Sequence, residues 1–241
     1  MPSLYFLNNP ATIKTVLFDL DGTLADTAPD LAFALNQVLL ENHRAPLPFE
    51  TIRPEVSHGG IALIRLGFHI EPEHPDFDAL RQRLLKIYRD NIARETRLFP
   101  GMADLLNHIE QNNMNWGVVT NKPGWLTEPL MDALALSQRA ACIVSGDTCT
   151  NRKPHPEPIL HACQLAGSEA QYCVYIGDAQ RDIESGQRAG MPTIVALFGY
   201  IGDNDAPHQW QADAMLDTPQ AIIAWLNNPG TDNDPTTVKS T

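Results

Sequence analysis

The sequence is poor in positive charge. Its 241 residues contain 17 lysines and arginines against 29 aspartates and glutamates, which gives a formal net charge of -12. Nucleic acids and anionic membranes bind proteins through positive patches, so this balance argues against either of them as the main partner. A site for a phosphate group in such a chain needs a local source of positive charge, such as a metal ion, a lysine or a helix N-terminus.

Cysteines and long apolar runs are also scarce. The four cysteines form no C-x-x-C pair and have no metal-like spacing with histidine. Cys142 and Cys173 lie in apolar, strand-like runs, where we expect buried free thiols and a reducing compartment. No run approaches the roughly 18 apolar residues of a membrane helix, and Met1–Pro10 lacks the basic start and apolar stretch of a signal peptide. We therefore expect a cytoplasmic protein.

The order of the predicted strands and helices indicates an α/β fold. Five short apolar runs are typical of buried strands, and helical patterns separate the later ones. These runs are Thr15–Asp19, Trp116–Thr120, Ala141–Ser145, Tyr172–Ile176 and Pro192–Ala196. Such alternation predicts a doubly wound parallel sheet with a Rossmann-like arrangement.

Residues 27–97 have a different character. Their leucines and isoleucines follow helical spacing and no β-rich run interrupts them. We predict a helical insert here, which divides the α/β core into residues 11–26 and 98–227. The last residues, 228–241, are polar and rich in proline, glycine, asparagine and aspartate, and we predict that they are disordered.

Residues that carry chemistry stand where the predicted strands end. They are Asp19 and Asp21 after the first strand, Thr120 and Asn121 after the second, Lys153 in a later loop, and Asp178 and Asp182 after the strand 172–176. In an open parallel sheet, ligands bind outside the carboxyl ends of the strands, so these side chains are expected to meet at one edge. Converging carboxylates need a cation, and oxygen ligands suit Mg²⁺. One carboxylate can act as nucleophile while a second transfers protons.

Four short motifs resemble those of the haloacid dehalogenase superfamily, in the same order. They are Asp19-Leu20-Asp21-Gly22-Thr23, Thr120-Asn121, Lys153-Pro154 and Gly177-Asp178-x-x-x-Asp182. The resemblance extends from residue 13 to about 226, over the whole predicted core. It implies a magnesium-dependent phosphatase that acts on a small-molecule phosphate ester.

The resemblance also implies a role for each residue. Asp19 attacks phosphorus, and Asp21 protonates the leaving oxygen and later deprotonates the hydrolytic water. Thr120 and Asn121 hold phosphoryl oxygens, and Lys153 neutralises charge on the nucleophile and the phosphoryl group. Asp19, the main-chain carbonyl of Asp21 and Asp178 bind Mg²⁺, with Asp182 in support.

The helical insert resembles the cap of the phosphoglycolate-phosphatase-like branch of this superfamily. By that resemblance Arg53 lies on a loop that faces the substrate, where a guanidinium can pair with a carboxylate. The strings 53–57, 116–123 and 198–201 are similar to those of N-acetylmuramic acid 6-phosphate phosphatases. The implied substrate is a small phosphate ester with a carboxylate: N-acetylmuramic acid 6-phosphate, from peptidoglycan recycling, is the first choice and phosphoglycolate the second.

The same fold supports other functions. A sugar phosphomutase shares all four motifs and stays open as an alternative. A non-catalytic binding module is a second alternative, although the intact pair of Asp19 and Asp21 argues against it. A dehalogenase lacks the acid–base residue at the position of Asp21, and a phosphonatase needs a Schiff-base lysine, whereas the one lysine of the insert, Lys86, lies on a predicted long helix.

Overall fold

The structure is a computed structural model in which residues 13–228 are described. The predicted disordered tail, apart from its first residue, lies outside the described residues. Within residues 13–228, no helix combines the length and the apolar character needed to cross a membrane.

A parallel sheet forms the centre of the molecule. In chain order the strands are β1 (Thr15–Phe18), β2 (Ala25–Asp26), β3 (Arg97–Leu98), β4 (Asn115–Val119), β5 (Cys142–Val144), β6 (Cys173–Gly177), β7 (Thr193–Ala196) and β8 (Ala214–Leu216). Six of them make one sheet in the order β5-β4-β1-β6-β7-β8, with every neighbouring pair parallel. β1 is central, since Thr15 lies between Asn115 on one side and Cys173 on the other.

Helices cover both faces of this sheet. In chain order they are α1 (Ala28–Glu41), α2 (Phe49–Ile52), α3 (Gly59–Phe68), α4 (Phe77–Asp90), α5 (Met102–Gln111), α6 (Gly124–Ala133), α7 (Glu157–Leu165), α8 (Gln180–Ala189) and α9 (Pro219–Asn227). Successive strand residues point to opposite faces, so Phe18 packs in one buried cluster with α5, α6 and α9, while Leu17 packs in another with α7. The predicted doubly wound α/β sheet with an inserted helical segment is confirmed.

The helical insert lies between β2 and β3. It contains α1 to α4 and a 3-10 turn, Arg53–His58, that leads directly into α3. β2 and β3 themselves pair as a two-stranded antiparallel ribbon, with Ala25 opposite Leu98. The sequence did not predict this ribbon or β8. β2 and β3 have only two residues each, and the three residues of β8 lie between Asp213 and Asp217 rather than in a longer apolar run. The boundaries of the core and the insert as separate domains stay a prediction.

Tyr200, in the loop after β7, ties the entrance of the insert to the core. Its buried hydroxyl donates to Asp26 Oδ1 at 2.7 Å and accepts from the main-chain N–H of Ala28 at 2.8 Å. Its ring lies 6.2 Å from that of Phe99, at the other end of the insert. The two chain segments that join the core to the insert, at Asp26–Ala28 and at Phe99, therefore both lie beside the Tyr200 side chain.

Candidate active site

The carboxyl edge of the sheet carries the predicted site residues. Asp19 follows β1, Thr120 follows β4 and Asp178 follows β6, and these three strands are neighbours. A cavity of about 530 Å³ opens over this edge and is lined by Asp19, Asp21, Thr120 and Asn121, among others, and by residues of the insert. The topology thus brings together residues that are far apart in the chain.

Lys153 is the centre of a buried charge network. Its Nζ atom lies 2.8 Å from Asp19 Oδ1 and 2.8 Å from Asp182 Oδ1, and it donates to the Tyr175 hydroxyl at 2.7 Å. The Lys153 side chain has no exposed surface. A fully buried ammonium requires this many partners, because an unpaired charge in the interior costs much free energy.

The charges around Asp19 favour its ionised form. Burial alone raises the pKa of the Asp19 carboxyl, but the positive charges of Lys153 and Arg181 outweigh burial and hold this pKa below its ordinary value. Asp19 therefore carries an ionised carboxylate in the lining of the cavity, while its predicted role as nucleophile stays a prediction.

Asp21 stands two residues further, in a separate set of contacts. Its Oδ1 accepts hydrogen bonds from the Thr27 hydroxyl at 2.6 Å and from Lys122 Nζ at 2.7 Å. The Lys122 ammonium also lies 4.7 Å from the centre of the Tyr88 ring, on α4 of the insert. The sequence analysis did not select Lys122, although its position directly after Thr120 and Asn121 was a signal that it belongs to the same loop.

Thr120 and Asn121 use their side chains differently. The Thr120 hydroxyl accepts from the Lys122 N–H at 3.2 Å and has no acceptor for its own hydrogen among residues 13–228. The Asn121 carboxamide instead binds the main chain of Lys153, donating to its carbonyl at 3.0 Å and accepting from its N–H at 3.1 Å. Asn121 thus positions the loop that carries the lysine, while its predicted contact with phosphoryl oxygens stays a prediction.

Asp178 is surrounded by donors. Its Oδ1 accepts from the Thr23 hydroxyl at 3.2 Å, and its Oδ2 accepts from the Ser57 hydroxyl at 2.7 Å and the Tyr200 N–H at 2.9 Å. Burial, together with the negative charges of Asp19 and Asp182, nevertheless raises the pKa of Asp178 to about 7. The raised pKa of Asp178 indicates that the three acids Asp19, Asp178 and Asp182 have too little positive charge close to Asp178.

Glycine is required at position 22, in the turn between Asp21 and Thr23. Its φ of +84° lies in the left-handed region, and a Cβ atom there would collide with the Asp178 carboxylate and the Tyr200 ring. The absence of a side chain therefore lets the turn after β1 approach the loop after β6.

Asp182 lies at the start of α8. It pairs with Lys153 through Oδ1, and its Oδ2 accepts from the N–H of Ala179 at 3.1 Å, which caps the first turn of the helix. Single carboxylate oxygens of Asp19, Asp178 and Asp182 lie within 4.8 Å of one another, so these three acids together are able to hold a metal ion.

Arg53 lies outside the lining of the cavity. Its guanidinium donates to the main-chain carbonyls of Gly199 at 3.1 Å and Phe198 at 3.4 Å, and stacks 4.9 Å from the centre of the Tyr200 ring. It is not among the described residues that border the cavity. Its predicted contact with substrate stays a prediction, and the structure gives it a contact between insert and core.

The sequence analysis also missed Arg181 and Tyr175. Arg181 donates to the main-chain carbonyl of Ser57 at 2.7 Å, and three nearby carboxylates raise its pKa although burial opposes them. The Tyr175 hydroxyl donates to the Val119 carbonyl at 2.7 Å while it accepts from Lys153. Arg181 could have been found from the sequence, because it lies between Asp178 and Asp182. Tyr175 was harder to find, because it lies inside an apolar strand.

Comparison with known proteins identifies the family of this chain. The model of the haloacid dehalogenase-like hydrolase family matches residues 16–196. The chain belongs to this family. The motif resemblance is therefore confirmed, and the carboxyl edge described above is the edge at which the haloacid dehalogenase-like hydrolase motifs of this chain meet.

Relatives in this family match the chain over most of its length. It is 41% identical over 207 residues to an N-acetylmuramic acid 6-phosphate phosphatase of Pseudomonas putida, covering 86% of this chain and 93% of that protein. It is also 41% identical over 217 residues to a phosphoglycolate phosphatase of Xanthomonas campestris, covering 88% and 97%. Among solved structures, a predicted phosphoglycolate phosphatase from Haemophilus somnus superposes with a TM-score of 0.79 at 24% identity, over 90% and 99% of the two chains. At that identity the last comparison concerns the fold alone.

Proposed function

We propose that this haloacid dehalogenase-like hydrolase is a phosphomonoester hydrolase that works through an aspartyl-phosphate on Asp19. The observation that carries the proposal is the pairing of a buried, ionised Asp19 with Lys153, together with the presence of both Asp19 and Asp21 in the lining of the cavity. The names of the relatives support the same class of reaction.

The reaction divides into two displacements at phosphorus. In the first, an Asp19 oxygen forms a bond to phosphorus as the bond to the leaving oxygen breaks, and Asp21 gives that oxygen a proton. In the second, Asp21 takes a proton from water, whose oxygen bonds to phosphorus while the bond to Asp19 breaks. Inorganic phosphate leaves and the Asp19 carboxylate is restored. We infer that the Thr120 hydroxyl binds a phosphoryl oxygen, and that Lys153, through its contact with Asp19, neutralises charge on the nucleophile and on the phosphoryl group bound to it.

We infer that Mg²⁺ is the cofactor. The donor set is made of oxygens, as Mg²⁺ prefers, and burial beside Asp19 and Asp182 raises the pKa of Asp178, which a bound cation would lower. Asp19, Asp178 and the main-chain carbonyl of Asp21 are the proposed ligands, with Asp182 in support through its contacts with Lys153 and Ala179. When bound, the ion neutralises charge on the phosphoryl group and the nucleophile.

For the substrate we propose N-acetylmuramic acid 6-phosphate, with phosphoglycolate as second choice. A cavity of about 530 Å³ has the size of a pocket for a sugar-sized ligand. Its wall includes Trp125, which is 49% exposed, and the apolar side chains of Leu85 and Leu126. These surfaces suit a sugar ring and an acetyl group better than the two carbons of glycolate. The relatives carry both activities in their names.

We further propose that the enzyme acts in the cytoplasm. The Sγ atoms of Cys163 and Cys173 lie 3.6 Å apart and remain unbridged, and Cys142 is also a buried free thiol. Reduced thiols in contact suit a reducing compartment.

A phosphate-release screen with Mg²⁺ tests the proposed function. The panel contains N-acetylmuramic acid 6-phosphate, phosphoglycolate and other sugar phosphates, ranked by kcat/KM, with and without sugar bisphosphate. We expect release of inorganic phosphate, fastest from the muramic sugar, and none from the Asp19→Asn protein. A preference for phosphoglycolate would reverse the order of substrates, and isomerisation without phosphate release would indicate a mutase instead.

A further inference from the structure

Arg81, on α4 of the insert, has no partner in the described part of the chain. Its Nε atom is enclosed by protein and makes no hydrogen bond. The rest of its guanidinium group also makes no hydrogen bond and no ion pair with any residue in 13–228. Arg81 nevertheless lines the same cavity as Asp19. The terminal nitrogens of this guanidinium are therefore free to donate to a ligand in the cavity.

The lysine and the other arginines that line the cavity each make a contact with protein. Lys122 pairs with Asp21 at 2.7 Å. Arg181 donates to the Ser57 carbonyl at 2.7 Å, and Arg152 donates through Nε to the Gly146 carbonyl at 2.6 Å. Among the described arginines that line the cavity, Arg81 is therefore the one that makes no hydrogen bond or ion pair with protein.

The surroundings of Arg81 favour an anion. It lies against the beginning of α3, since a Cβ atom built on Gly60 would be 3.7 Å from Arg81 Cγ. Gly59 and Gly60, the first residues of that helix, also line the cavity. A helix N-terminus carries partial positive charge and attracts anions. Arg81 and this helix end thus supply positive charge to the cavity from the insert, while Asp19 and Asp21 supply negative charge from the core.

We propose that Arg81 binds the carboxylate of the leaving group and so determines which phosphate esters are good substrates. The proposal rests on the proposed function, which places the phosphoryl group at Asp19 and the rest of the ester toward the insert. A guanidinium binds a carboxylate with two parallel hydrogen bonds, a geometry that a lysine cannot reproduce. Both candidate substrates carry such a carboxylate.

Arg53 is the competing candidate, and the two arginines differ in their contacts. The terminal nitrogens of Arg53 donate hydrogen bonds to the carbonyls of Phe198 and Gly199. We therefore expect Arg53→Ala to slow all substrates alike, through loss of a contact between insert and core, whereas Arg81→Gln changes the preference among substrates.

The test compares N-acetylmuramic acid 6-phosphate with N-acetylglucosamine 6-phosphate, which lacks the lactyl carboxylate. We expect Arg81→Gln to lower the ratio of their kcat/KM values roughly 10- to 150-fold, the effect of losing a charge-assisted contact. Arg81→Lys should keep part of the ratio. Arg89→Gln, on an exposed position of the same helix, is the matched control and should leave the ratio within about twofold of wild type.

Binding to the Asp19→Asn protein gives a readout that does not depend on turnover. By calorimetry, N-acetylmuramic acid should bind more tightly than N-acetylglucosamine, and Arg81→Gln should remove that difference. The proposal is overturned if wild type does not discriminate, if Arg81→Gln leaves the ratio unchanged, or if Arg53→Ala alone removes it. An absence of phosphatase activity would refute the proposed function, while the binding comparison would still decide the role of Arg81.

Discussion

The substitution Lys153→Met removes a cation that contacts both Asp19 and Asp182. Both carboxylates are buried, at 4% and 0% side-chain exposure, and each lies 2.8 Å from Lys153 Nζ. Removing one partner of a buried ion pair leaves an uncompensated charge and typically costs about 3–5 kcal/mol. Without metal, at pH 8, we therefore expect the free energy of unfolding to fall by about that amount.

The size of this loss should depend on pH in a defined direction. In wild type the pKa of Asp19 is held below its ordinary value. The ionised Asp19 therefore stabilises the fold at a pH above that ordinary value, and this stabilisation is lost as Asp19 is protonated at lower pH. Without Lys153, burial dominates and raises the pKa of Asp19, so that the variant is destabilised further as pH rises. The difference between wild type and variant should therefore shrink on going from pH 8 to pH 5.

Urea denaturation in EDTA measures this difference. Lys86→Met is the matched control, because Lys86 pairs with Asp90 at 3.1 Å on an exposed surface of α4, where such a pair contributes about 0.3–0.5 kcal/mol. A Lys153→Met protein no less stable at pH 8 than Lys86→Met would refute the role of the lysine as the partner of two buried charges.

Three further predictions concern the metal and the acid–base residue. EDTA should abolish phosphate release and Mg²⁺ should restore it, and Asp178→Ala should need far more Mg²⁺ in a titration of the rate; full activity in chelator would contradict the metal site. Mg²⁺ binding should weaken as pH falls below about 7, because a proton on Asp178 competes with the ion; calorimetry in two buffers should detect proton release, and a pH-independent affinity would oppose this reasoning. Asp21→Asn should lower kcat by about 10²–10⁴-fold, and a variant near the wild-type rate would exclude Asp21 as the proton donor.

The meeting of the motif residues could be predicted because it follows from topology. Asp19 and Lys153 are 134 positions apart, yet both follow strands of one parallel sheet, whose carboxyl ends share an edge. The sequence shows these strands clearly, since their residues are buried on both faces and form continuous apolar runs. Residue type and strand order together were enough to place the core of the site.

Contacts between the insert and the core could not be predicted in the same way. The direction of the Arg53 guanidinium, the contact of Ser57 with Asp178 and the contact of Lys122 with the Tyr88 ring depend on how α1 to α4 pack over the sheet. No periodicity in the sequence encodes that packing. Asn121 was assigned to the phosphoryl group by resemblance, whereas its carboxamide is occupied by the main chain of Lys153.

The central claim, a covalent phosphoryl group on Asp19, is tested most directly by trapping it. The enzyme is mixed with N-acetylmuramic acid 6-phosphate and Mg²⁺, quenched in acid within one turnover, digested and analysed by mass spectrometry. We predict that the peptide containing Asp19 gains the mass of one phosphoryl group early, loses it as phosphate is released, and never gains it in the Asp19→Asn protein. Turnover without any phosphorylated peptide, or with the phosphoryl group on another residue, would contradict the account.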